Sequence, residues 1–176
     1  MNGINQLMSK ALSNIELSNA LDGKVRILTY AELTQYSDLI SALGPERAMI
    51  LLYETKEHSG HWICIYETTG EGGKISFFDS YALKPDDELY FVPDHFRRRR
   101  NMEFPHLSKL LLECKRPIEY NHHKFQKSGR DIATCGRHCI VRLLLKKIPL
   151  KRYIELLKDG DGFTSDQLVT YMTRDI

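Results

Sequence analysis

Apolar residues fall in blocks along this 176-residue chain, and the period inside each block predicts its element. In 32–43 (ELTQYSDLISAL), Leu33, Tyr36, Leu39 and Ile40 recur at helical spacing. They predict one short amphipathic helix, ended by Gly44-Pro45. Residues 47–53 (RAMILLY) read as a buried strand. Residues 61–67 (HWICIYE) and 74–79 (KISFFD) read as two more, joined by the turn-rich stretch 68–73. The segment 84–100 is polar and irregular, and is expected to run over the surface. A helix is predicted over 106–114 and a short strand over 117–121. Residues 135–148 are apolar on nearly every side at their middle, which predicts a buried helix closed by Pro149. Helices over 150–158 and 165–173 follow, the second capped by Thr164. This order predicts an α+β fold, a central mixed or antiparallel sheet flanked by helices. The length suits one domain spanning 1–176.

Hydrophobic content of 42% and charged content of 27% place the chain among globular proteins rather than disordered tails. Residues 1–12 hold no apolar run long enough for a signal peptide or a membrane span. The expectation is an intracellular or particle-packaged protein with no membrane partner. Net charge is only +2, but Arg97, Arg98, Arg99 and Arg100 form a run, and Lys146, Lys147, Lys151 and Arg152 cluster later. Such runs suit nucleic acid or an acidic partner, or simply a solvated loop. Without a secretory signal, Cys64, Cys114, Cys135 and Cys139 are expected as thiols, and a special one would be catalytic or metal-binding.

The strands around Gly70 carry the first chemical signal. With the turn centred there, Ile65 faces Ile75, Ile63 faces Phe77 and His61 faces Asp79. Directly opposed side chains have Cβ atoms about 5 Å apart, and all six share one face. A slip of one residue would send His61 and Asp79 to opposite faces. A carboxylate beside an imidazole fixes its tautomer and stabilises its charged form, as a general base requires. His58 is a rival imidazole, in the connecting loop and without an evident partner.

Cys135 supplies the second signal. It follows the polar stretch 127–134 and begins the buried helix, where unpaired N–H groups and the helix dipole favour an anion such as a thiolate. Gly136 is expected to leave room for substrate beside the sulfur. A thiol at a helix start, with a histidine supplied from elsewhere, is the plan of a cysteine nucleophile. Cys64, Cys114 and Cys139 read as packing. Cys135, His138 and Cys139, with His122 and His123 upstream, have ligand-like spacing for zinc. Structural zinc sites show two compact ligand pairs, so no metal or cofactor is expected, and His138 is read as a packed or partly exposed helix residue.

Gly60-His61-Trp62, Phe78-Asp79-Ser80-Tyr81, Gln126 and Thr134-Cys135-Gly136-Arg137-His138-Cys139 follow one another in the order His, Asp, Gln, Cys. This resembles the superfamily that joins the adenovirus maturation protease with the SUMO-specific proteases. The wording of the motifs is most similar to proteases of mavirus-like virophages and Polinton-type elements. The resemblance implies a papain-like, adenovirus-protease-like fold, with Cys135 as nucleophile, His61 as base and then acid, and Asp79 as the orienting carboxylate. It implies that Gln126 donates into an oxyanion hole with the Cys135 N–H, and that Trp62 packs near a substrate channel admitting small residues. Gln126 stands nine residues before Cys135, a longer gap than the family usually shows, which leaves Asn121 as the alternative donor. The function implied is a monomeric endopeptidase that processes capsid precursors in the virion or viral factory, with DNA contact through Arg97 to Arg100. A modifier-removing isopeptidase would use the same residues. A nucleic-acid-binding or zinc-containing module without activity is the reading from another class.

Overall fold

Alternation in the two longest strands decides the architecture. The computed structural model describes residues 2–69, 73–160 and 162–176. Its five-stranded sheet has the order β1-β2-β3-β4-β5. β1 (Arg26–Thr29) runs parallel to β2 (Ala48–Lys56), which is antiparallel to β3 (Ser59–Glu67). β3 is antiparallel to β4 (Ile75–Phe78), and β4 is parallel to β5 (Ile118–Tyr120). The sheet is therefore mixed, as expected.

Even-numbered residues Ile50, Leu52, Trp62, Cys64, Tyr66 and Phe78 join one core. It is completed by Leu17 of α2 (Asn14–Ala20), Cys139 and Ile140 of α7 (Cys135–Leu144), Tyr153 of α8 (Leu150–Leu157) and Val169 of α9 (Ser165–Met172). α1 (Asn2–Met8) packs on α9. Odd-numbered Met49, Leu51, Tyr53, Ile63, Ile65, Ile75 and Phe77 face a second core. There they meet α3 (Tyr30–Leu33), α4 (Leu39–Leu43), α5 (Asp94–Arg99) and α6 (His106–Glu113). Burial on both faces is why these strands read as continuous apolar runs rather than alternating ones.

Three expectations change. The single helix over 32–43 is two helices, because local caps outweigh its periodicity. Thr29 and Glu32 form a capping box that starts α3 early, and the Asp38 carboxylate accepts the Ser41 N–H at 2.8 Å to start α4 anew. Residues 84–100 do not merely cross the surface. A 3₁₀ turn (Asp87–Phe91) and α5 drive Leu89, Val92 and Phe96 into the second core. Asp86 anchors the start of this segment, its carboxylate accepting from Tyr30 Oη at 2.7 Å and Ser108 N at 2.7 Å. Finally, α1, α2 and β1 have no counterpart among the expected elements. The Ser13–Glu16 capping box was the available signal for α2, whereas β1 is four residues long and gains its identity only by pairing with β2.

Candidate active site

β3 and β4 pair through Cys64–Phe78, Ile65–Phe77, Tyr66–Ser76 and Glu67–Ile75. This register lies two residues from the expected one, so the direct His61–Asp79 opposition is corrected to a diagonal one. The expected turn centre, residue 70, lies outside the described residues. Because the shift is two and not one, side-chain parity survives. β4 ends at Phe78, and His61 and Asp79 meet just past the last rung, with Nε2 2.9 Å from Oδ1. Diagonal neighbours remain within reach of a long or aromatic side chain.

Asp79 is fully buried and held from several sides. Its Oδ1 also accepts the Tyr81 N–H at 2.7 Å. Asn121 grips its backbone, accepting the Asp79 N–H at 2.9 Å and donating to the Asp79 carbonyl at 2.6 Å. Asn121 Nδ2 also donates to the His123 carbonyl at 3.1 Å. Both amide hydrogens are thus engaged, which removes Asn121 as an alternative oxyanion donor.

With Nε2 committed to Asp79, Nδ1 of His61 is the nitrogen left for another partner, and the neighbouring Cys135 helps to stabilise the charged ring. Burial disfavours the charged imidazole. The Asp79 bond and the Cys135 sulfur outweigh that penalty and hold the His61 pKa well above its ordinary value. Cys135 opens α7, and both it and His61 are 7% exposed, so the thiol and the ring are enclosed rather than displayed. Glu88 Oε1 stands 3.9 Å from His61 Nε2. Burial raises the Glu88 pKa, while His61 pulls it back. Sequence reasoning missed Glu88, since nothing local distinguishes it from the acids beside it. It also passed over Tyr81, whose ring stacks on His61 at 4.7 Å and 26°, although the Phe78-Asp79-Ser80-Tyr81 motif contained it.

Gln126 lies next to this cluster and is 1% exposed, not a free loop amide. Its Oε1 accepts from Ser80 Oγ at 2.8 Å, and its Nε2 donates to Tyr81 Oη at 3.1 Å. Thr134, the residue before Cys135, does not cap α7 with its side chain. Its hydroxyl donates instead to Asp166 Oδ1 at 2.5 Å. Asp166 also receives the Lys127 N–H at 2.9 Å and lies 3.0 Å from His138 Nε2. His138 is thereby fully buried rather than partly exposed, and burial lowers its pKa. Among the described residues, the side chains close enough to share a cation are His61, Asp79 and Glu88, not Cys135, His138 and Cys139.

Gly136 is closely packed: a Cβ there would lie 3.2 Å from Leu17 Cδ2 and 3.4 Å from both Leu12 Cβ and Trp62 Cδ1, so its smallness serves packing. Trp62 donates from Nε1 to the Leu12 carbonyl at 3.1 Å and borders an open cleft of about 310 Å³. A second cleft of about 320 Å³ is bordered by Tyr81, Glu88, Phe91 and Lys124. The arginine run is partly neutralised. Arg97 pairs with Asp94, Arg98 with Glu103 at 3.7 Å and Arg100 with Glu57 at 3.6 Å, while Arg99 stacks over Phe96. No helix among the described residues is long and apolar enough to cross a membrane.

No family model matches the chain. A crystal structure of an ASFV protease superposes with a TM-score of 0.52 at 13% identity, covering 94% of this chain and 67% of that one, which shows a shared fold. In sequence, the chain is 41% identical over 166 residues to uncharacterized protein V9 of the Sputnik virophage, covering 93% of this chain and 94% of that protein. At that identity over nearly the full length of both, the chain belongs to the family of the Sputnik virophage protein V9.

Proposed function

We propose that this chain is a cysteine endopeptidase that processes viral structural-protein precursors. The observation that carries the reading is the meeting of a helix-start thiol, an imidazole and a buried carboxylate in one enclosed site. The fold shared with a viral protease and the virophage relative support a viral proteolytic role.

The chemistry follows from the order of contacts. Asp79 holds His61 by Nε2 and stabilises its charged form, which lets His61 take up the Cys135 proton as the sulfur attacks. The sulfur adds to the peptide carbonyl carbon, and the π electrons move to oxygen. Collapse of this tetrahedral species breaks the C–N bond while His61 gives its proton to the leaving amine. Water, deprotonated by His61, then hydrolyses the thioester and frees the acid. Stacking on Tyr81 and the short Asp79 bond keep the imidazole in the plane this shuttle needs.

The test is to incubate the protein with virophage capsid precursors and, separately, with ubiquitin-like conjugates, using Cys135→Ala as control. Cleavage of the precursors by the wild-type chain alone is the expected result. Cleavage of the conjugates alone would replace this reading with an isopeptidase. Proteolysis that survives in Cys135→Ala would remove the thiol from the reaction.

A further inference from the structure

We infer that the Tyr81 hydroxyl is the side-chain donor that meets the developing oxyanion, and that Gln126 acts through Tyr81 as a positioning residue. This rests on the thiol-protease reading above.

The hydrogen bonds around Gln126 have a direction. Ser80 Oγ donates to Gln126 Oε1 at 2.8 Å, and Gln126 Nε2 donates to Tyr81 Oη at 3.1 Å. The Ile132 carbonyl lies 3.5 Å from the same nitrogen. A carbonyl oxygen only accepts, so it must face the NH₂ end, and the amide cannot be turned over. The Tyr81 oxygen therefore accepts from Gln126, and its own O–H is left to donate elsewhere. In such a chain each bond polarises the next, which strengthens the terminal donor.

The terminal donor is also fixed in place. The Tyr81 ring stacks on His61 at 4.7 Å, and its backbone N–H bonds Asp79 Oδ1 at 2.7 Å. Both partners belong to the proposed catalytic set, so the hydroxyl is positioned by the same groups that position the base. Tyr81 is half-buried and borders the cleft beside Glu88. Burial, and then the negative charge of Cys135, push its pKa up to about 12, so the phenol stays a proton-bearing donor and senses the sulfur. Gln126 is 1% exposed with both amide hydrogens directed at Tyr81 and Ile132. Reaching an oxyanion itself would require it to abandon Tyr81. When the carbonyl oxygen gains charge, Tyr81 donates a hydrogen bond to it without giving up its proton, and the bond is released when the C–N bond breaks.

The test uses wild type, Tyr81→Phe, Gln126→Ala and the double variant, with two probes: the p-nitrophenyl ester of acetylglycine and iodoacetamide. Ester acylation passes through an oxyanion, and alkylation does not. Tyr81→Phe is expected to lower kcat on the ester by roughly 10²- to 10³-fold, as loss of one oxyanion donor does. KM and the rate and pH profile of Cys135 alkylation should hold. Gln126→Ala should also lose ester turnover and add nothing further on top of Tyr81→Phe. The inference is overturned if Tyr81→Phe keeps ester turnover within about threefold of wild type. It is equally overturned if the two losses multiply, since Gln126 would then donate independently, or if alkylation falls in step with turnover, since Tyr81 would then act on His61. A wild-type Cys135 inert to iodoacetamide near neutral pH would instead bring down the thiol-protease reading beneath it.

Discussion

Gly60→Ala tests how closely the backbone beside His61 is packed. Gly60 pairs with Glu54 on β2, next to the register shift between Glu54 and Lys56. An added Cβ would stand 1.8 Å from the Tyr53 carbonyl oxygen, 2.7 Å from its carbon and 2.9 Å from Glu54 Cα. All three are backbone atoms of a paired strand, so no rotamer change relieves the clash. Restoring van der Waals contact requires opening β2 from β3 by roughly 1.5 Å, given that non-bonded atoms prefer separations near 3.5 Å. Overpacking that side chains can absorb costs about 1–3 kcal/mol. A clash with the backbone of a paired strand should reach or exceed the top of that range, about 3–5 kcal/mol, a large share of a typical domain's 5–15 kcal/mol. Gly136→Ala is the internal control. Its nearest neighbour is the movable tip of Leu17 at 3.2 Å, and alanine gains up to about 1 kcal/mol of helix propensity over glycine. Its net effect should stay within about 1 kcal/mol. Urea unfolding followed by circular dichroism, with the midpoint compared at constant slope, reads both variants. A Gly60→Ala midpoint equivalent to within about 0.5 kcal/mol of wild type, or a Gly136→Ala cost larger than that of Gly60→Ala, would refute the reasoning.

Further outcomes are expected. Cys135→Ala should abolish turnover yet melt within a few degrees of wild type; a large drop in Tm would mean the thiol is mainly structural. Asp79→Asn removes the carboxylate whose hydrogen bond does most to stabilise the charged His61 ring, so the His61 pKa falls. Peptide turnover needs the imidazolium to protonate the leaving amine and declines as His61 deprotonates, so the alkaline limb of the kcat/KM–pH profile should move to lower pH. An unmoved limb would leave Asp79 with no electrostatic role. The same raised pKa means that His61 stabilises the fold fully below about pH 6.5, its unfolded value, and loses that contribution as pH rises through the folded value. A stability–pH curve with no decline on the alkaline side, or one that Asp79→Asn leaves unchanged, would contradict this. Asp166→Ala strips partners from Lys127 N, Thr134 Oγ1 and His138 Nε2 together, and should destabilise by about 3 kcal/mol in urea unfolding. A change below about 1 kcal/mol would show that these groups find other partners.

Element type followed from local pattern wherever burial was uniform. The apolar runs of β2, β3 and α7 admitted few alternatives, and Thr164 marked the start of α9 through a capping box that the structure contains. His61, Asp79 and Cys135 stood out because each combines a reactive side chain with an element terminus, which is a local property. Parity along β3 and β4 even survived a two-residue error in register, because strand side chains repeat every two residues.

What the chain alone left open depends on distances between segments far apart in sequence. Glu88 comes to 3.9 Å from His61 only because Leu89 and Val92 are drawn into a core formed by other strands. The close packing of Gly136 arises because Leu12, Leu17 and Trp62 converge on it. The direction of the Gln126 amide is set by Ser80 and Ile132, which turn its NH₂ toward Tyr81. Hydrophobic period and capping act over a few residues, so the chain determines its elements and the identity of its reactive groups. Packing and hydrogen-bond direction act between elements, so the tertiary structure alone decides which of those groups touch and which one is left with a proton to offer.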